Sequence, residues 1–109
     1  MANRQAFSRT MAKHFQTLKQ YVPIVARVHG ENHPEFHKVK ELFEVIHTKM
    51  KEPGSEDPVL TKEFTKLREI TNNYTVPGDV CESYEAVYRM LAELDEAYQA
   101  YAEKAEVRM

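Results

Sequence analysis

An all-α fold, an up-down-up-down antiparallel four-helix bundle, is what this sequence predicts, and three observations carry the prediction. Its three glycines, Gly30, Gly54 and Gly78, each lie beside or close to a proline (Pro34, Pro53 and Pro77), so three turns divide the chain into four segments. Within the segments apolar residues recur at alternating steps of three and four, the period that keeps a stripe on one side of a helix. The connections are short, which makes consecutive helices antiparallel neighbours. At 109 residues the chain has the size of one domain, and 1–109 is read as that domain.

The first helix is predicted from about Asn3 to His29 on the stripe Phe7, Met11, Phe15, Leu18, Val22, Val25 and Val28. Pro23 removes one backbone donor from it and is expected to kink it. The second opens with Pro34, where a missing N–H costs nothing, carries Phe36, Val39, Phe43, Ile46 and Met50, and stops near Lys51. The third carries Leu60, Phe64, Leu67, Ile70 and Tyr74, with Ser55 or Asp57 as cap and Pro58 in the first turn, and ends around Asn73. The fourth is the most regular. Val80, Tyr84, Val87, Leu91, Leu94, Tyr98, Tyr101 and Ala105 form an unbroken stripe, and Asp79 with Glu82 reads as a capping box, giving a helix from about Asp79 to Val107.

Composition narrows the function. Fifteen basic against seventeen acidic residues leave a formal charge of -2, which gives no electrostatic reason for nucleic acid or an anionic membrane as main partner. No apolar stretch is long enough for a signal-peptide core or a membrane span, and the one cysteine, Cys81, cannot form an internal disulfide, so a reducing cytoplasm is expected. A Gly-rich phosphate loop, a Ser/His/Asp constellation and zinc-type cysteine spacing are all missing.

Two ordered runs resemble a known family. Tyr21-Val22-Pro23-Ile24-Val25-Ala26-Arg27-Val28-His29-Gly30, then His33-Pro34-Glu35 and Glu41-Leu42-Phe43, resembles the first half of the hemerythrin-like iron-sulfur cluster repair proteins, the repair of iron centres family. Leu67-Arg68-Glu69-Ile70-Thr71-Asn72-Asn73-Tyr74-Thr75-Val76-Pro77, then Asp79-Val80-Cys81, Ser83-Tyr84, Tyr88 and Leu91-Ala92-Glu93-Leu94, resembles its third helix, turn and fourth helix. The resemblance implies a hemerythrin-like bundle with a di-iron site held by histidines from four helices and by His-xxx-Glu pairs on the second and fourth. Carried over position by position, the first-helix ligand falls on Ser8, the third-helix histidine on Asp57 and the fourth-helix pair on Tyr101 and Ala105. The second-helix pair falls in a stretch that is missing where Met50-Lys51-Glu52 runs into Pro53-Gly54-Ser55-Glu56-Asp57. The family's cysteine-bearing N-terminal domain has no counterpart in these residues. A shortened member with a degenerate metal site, holding no metal, is therefore expected.

The remaining histidines offer one other arrangement. His14 and His29 are about 22 Å apart along one helix and cannot share a metal, and His47 is similarly remote from His33. His33 and His37, at i, i+4, with His29 across the turn, would suit zinc, copper or nickel. The competing reading makes His29 a helix C-terminal residue favoured by the dipole and by end carbonyls. Cys81 is read as a small core residue with no histidine base beside it, and Tyr84, Tyr98 and Tyr101 as core filler.

Two functions follow from these readings. The first is a non-catalytic binding or assembly module without cofactor, whose interface is the overhanging ends of the first and fourth helices, with Phe7, Met11, Tyr98, Tyr101 and Val107 short of intrachain partners. Its expected partner is a second copy, giving a homodimer, or a related full-length repair protein. The alternative is a metal-dependent stress protein with iron as cofactor, repairing iron-sulfur clusters damaged by oxidation or nitric oxide.

Overall fold

The structure, a computed structural model, describes residues 2–51 and 59–107, with side chains over 7–50 and 59–100. Among the described residues stand four helices and no strand: α1 (Ala2–His29), α2 (Glu35–Lys51), α3 (Thr61–Thr71) and α4 (Glu82–Val107). The predicted stripes become the core of a four-helix bundle. Leu18, Val22 and Val25 of α1, Phe36, Val39 and Ile46 of α2, Leu60 and α3 residues Phe64 and Leu67, and Tyr84, Val87, Leu91 and Leu94 of α4 are all buried. Each large apolar side chain so covered contributes on the order of 1.5–3 kcal/mol before conformational entropy is subtracted. α1 packs on α4 and α2, and α2 packs on α3. The helix runs unbroken through Pro23, which lies exposed.

The helix ends depart from expectation for local reasons. α4 begins at Glu82, because Asp79 does not cap it: its carboxylate is taken by His33. Cys81 holds the capping position instead, its carbonyl accepting from the Glu85 N–H at 3.2 Å. α3 begins at Thr61 behind Leu60, with no side-chain cap; Ser55, Asp57 and Pro58 lie outside the described residues.

At its other end α3 stops at Thr71, so Tyr74 lies beyond the helix it was expected to join. Asn72, Asn73 and Tyr74 have φ of 52°, 57° and 60°, a left-handed turn that asparagine tolerates and tyrosine does not favour. Several bonds hold it there. Asn73 N–H donates to the Arg68 carbonyl (2.9 Å), Tyr74 N–H to Thr71 Oγ1 (2.9 Å) and Thr75 N–H to the Thr71 carbonyl (3.0 Å). The Tyr74 hydroxyl donates to Asp95 Oδ2 at 2.7 Å, which anchors the strained residue to α4.

Candidate functional site

The two ends of the bundle carry different chemistry. At one end lie the start of α1, the start of α3 and the later part of α4, where the family resemblance points for metal. The interior there is aromatic. The Phe7 ring meets Tyr98 edge-on at 5.5 Å and Phe64 at 6.5 Å, and Phe64 lies 5.3 Å from Tyr98. The Tyr98 hydroxyl accepts the Leu60 N–H at 2.9 Å, so it satisfies a backbone donor ahead of α3 that has no side-chain cap. Phe7, Met11 and Tyr98 are only 4%, 6% and 5% exposed. The expectation was that they lack intrachain cover; all three are buried, Phe7 and Tyr98 against each other and against Phe64 of α3, so they expose little apolar surface. The side chains of Tyr101, Ala105 and Val107, and residue Asp57, lie outside the described set.

Ser8 is exposed on α1. It borders a largely apolar groove of about 480 Å³ between α1 and α2, lined also by Met11, Phe15, Lys19, His47 and Met50. Two pairs of polar side chains are joined around this end. His14 Nε2 is 3.0 Å from Glu93 Oε1, joining α1 to α4. Lys49 donates to Glu63 Oε2 at 2.9 Å, while Glu63, 6% exposed, leaves Oε1 without a hydrogen-bond partner. The His47 ring packs edge-on against Phe15 at 4.5 Å.

Midway along the bundle a buried carboxylate organises α3 and α4. Asp95, 2% exposed, accepts from Arg68 Nη1 at 2.6 Å, from the Tyr74 hydroxyl and from Gln99 Nε2 at 2.9 Å. An open pocket of about 450 Å³ lies beside it, bordered by Asn73, Ala92 and Glu96 among others. Burial first, then the hydrogen bond to Asp95 and after it the Asp95 charge, push the Tyr74 phenol far above its usual range. Nothing in the stripe analysis marked Asp95. Its place four residues after Leu91 and three before Tyr98 is the signal that could have found it, since that spacing turns it toward the core.

The opposite end gathers the turn between α1 and α2 and the turn before α4. His33 stands between two carboxylates: Nδ1–H donates to Glu35 Oε2 at 3.1 Å and Nε2–H to Asp79 Oδ1 at 3.0 Å. Its side chain is 14% exposed. Burial opposes the charged form, but the hydrogen bonds and charges of Asp79 and Glu35 outweigh it and raise the His33 pKa above 6.5. His29, the last residue of α1, brings Nε2 to 3.2 Å from Cys81 Sγ. Cys81 is exposed, not the core residue expected, and it does have a histidine neighbour; the pairing was hidden because it spans two turns.

The rings of His29 and His33 both meet Tyr84 edge-on at 5.5 Å, and the Tyr84 and Tyr88 hydroxyls are 3.0 Å apart in the core. Burial raises both phenols, Tyr84 further through its bond to Tyr88. His37 packs over Gly30, where an added Cβ would come within 2.3 Å of the Ala26 carbonyl and 2.4 Å of His37 Nε2, so only glycine fits. His29, His33 and His37 share this end but do not form a ligand set: His33 is committed to two carboxylates and His29 faces the thiol. Among the described residues no three His, Cys, Asp or Glu side chains converge to hold a metal ion. No described helix is long and apolar enough to cross a membrane.

Comparison with known proteins gives one informative relative. The chain is 26% identical to "Iron-sulfur cluster repair protein ScdA" of Staphylococcus haemolyticus over 120 positions, a match covering 82% of this chain and 54% of the relative. It therefore spans about half the length of the curated relative it matches. No family model and no solved structure matches it. The chain is a four-helix bundle distantly homologous to an iron-sulfur cluster repair protein.

Proposed function

We propose that this chain is a non-catalytic binding or assembly module of iron-sulfur cluster repair, built on a hemerythrin-like bundle that no longer holds a di-iron centre. The observation that carries the reading is the aromatic filling of the α1/α3/α4 end, where Phe7, Phe64 and Tyr98 pack against one another. A carboxylate-bridged di-iron centre needs histidines and carboxylates facing each other across the interior of such a bundle. The described donors at this end do not fit one: Ser8 is an exposed hydroxyl, His14 is held by Glu93, and the Glu63 carboxylate is held by Lys49. Iron takes no part in the proposed role.

The lengths of the aligned segments support a shortened member. The match runs over 120 positions, more than the 109 residues of this chain, so the relative carries residues that this chain lacks. The partner that fits is a repair protein of the matched kind. A second reading, metal-dependent repair by the chain itself, is favoured by the function the relative's name states. One assay separates the two. An iron-sulfur enzyme inactivated by oxidation is incubated with ferrous iron and a thiol reductant, with and without this chain. Equal recovery in both mixtures is expected; faster recovery at substoichiometric chain would overturn the proposal.

A further inference from the structure

We propose that His33 is a pH-dependent clasp that ties the α1–α2 turn to the turn before α4, closed when the imidazole is charged and open on one side when it is neutral. The geometry carries this. Both ring nitrogens of His33 sit at hydrogen-bond distance from carboxylate oxygens, Nδ1 from Glu35 and Nε2 from Asp79. An ionised carboxylate only accepts, and a neutral imidazole has one N–H, so both bonds exist together only in the imidazolium form. Loss of the proton leaves a ring lone pair facing one carboxylate whichever tautomer is chosen, and that contact turns repulsive.

The groups that face His33 are few and known. Glu35 comes from α2, Asp79 from the turn before α4, and the Tyr84 ring from α4, with His29 of α1 on the same ring and paired to Cys81. Among the described residues neither Glu35 nor Asp79 has another basic partner. The clasp is placed to control the start of α4. Asp79 is two residues from Cys81, whose carbonyl begins the α4 hydrogen-bond ladder, so releasing Asp79 frees the segment that caps the longer of the two helices it joins.

The sign of the pH effect follows from linkage. A histidine whose folded pKa is raised stabilises the fold fully below its unfolded value, near 6.5, and loses that contribution as pH rises through the folded value. The α4 start is therefore held more firmly at mildly acidic than at alkaline pH.

The test is an NMR titration of the whole chain, following the imidazole nitrogens together with the backbone amides of Asp79 to Glu82. His33 should titrate above 6.5 with both nitrogens protonated at the acid end, and the amides should follow the same midpoint. Asp79→Asn should lower that midpoint, because it removes both a charge and a carboxylate hydrogen-bond acceptor that favour the imidazolium. The amide response should persist in His29→Gln and vanish in His33→Gln; Asp79→Asn serves alone if His33→Gln fails to fold. A His33 midpoint at or below 6.5, a midpoint unmoved by Asp79→Asn, or an amide response lost in His29→Gln instead would overturn the clasp.

Discussion

Replacing Tyr98 by phenylalanine removes one oxygen atom from the α1/α3/α4 end and tests whether that end is a structural core. The hydroxyl accepts the buried Leu60 N–H and lies 3.2 Å from Thr61 Oγ1, ahead of a helix that has no side-chain cap. Without it the amide loses its partner in a place water does not reach, which costs about 1–3 kcal/mol. The ring stays, so its contacts with Phe7 and Phe64 are kept. Tyr98→Ala removes these too and should cost about 3–5 kcal/mol, as large-to-small core changes do. In a domain of this size each kcal/mol moves the melting midpoint by roughly 4 °C or more. Urea unfolding followed by circular dichroism gives both values. A Tyr98→Phe change of under about 0.3 kcal/mol would refute the capping role, since a satisfied buried amide cannot be orphaned at no cost.

Other perturbations have equally definite outcomes. Asp95→Ala should destabilise by about 2–4 kcal/mol, less than a fully buried pair because Arg68 is partly exposed, and Tyr74→Phe by about 1 kcal/mol; denaturation midpoints check both. Cys81, being exposed, should be fully alkylated in the native chain, and Cys81→Ser should change stability by less than about 0.5 kcal/mol; mass spectrometry under native conditions and a melt decide it. Glu63→Gln should be close to neutral, within about 1 kcal/mol, because it gives up the Lys49 ion pair but also removes a buried charge with one unpartnered oxygen; a loss above 3 kcal/mol would show the pair to be essential.

The stripes made the bundle legible because a 3.6-residue period reports on one helix at a time, and Leu18, Val22, Phe36, Leu67 and Leu91 all lie where that period puts them. What escaped were pairings across long sequence separations. His29 meets Cys81, His14 meets Glu93, and Asp79 abandons its cap for His33, a competition between a helix end and a distant imidazole that no local pattern contains. Phe7, Met11 and Tyr98 are buried instead of overhanging for a related reason. Helix lengths alone do not reveal that the Phe64 ring packs against Phe7 and Tyr98, or that the Leu60 backbone N–H reaches the Tyr98 hydroxyl. Gly30 marks a turn in the sequence, and its structural requirement is close packing against His37 and the Ala26 carbonyl.

The central claim is that this bundle folds and acts without a di-iron centre. Protein purified from iron-replete, oxygen-poor culture, analysed for metal and melted before and after exhaustive chelation, tests it most directly. The account predicts far less than one iron per chain, with helicity and melting temperature unchanged by the chelator. Two irons per chain, or a chelator-induced loss of stability that added ferrous iron restores, would contradict it.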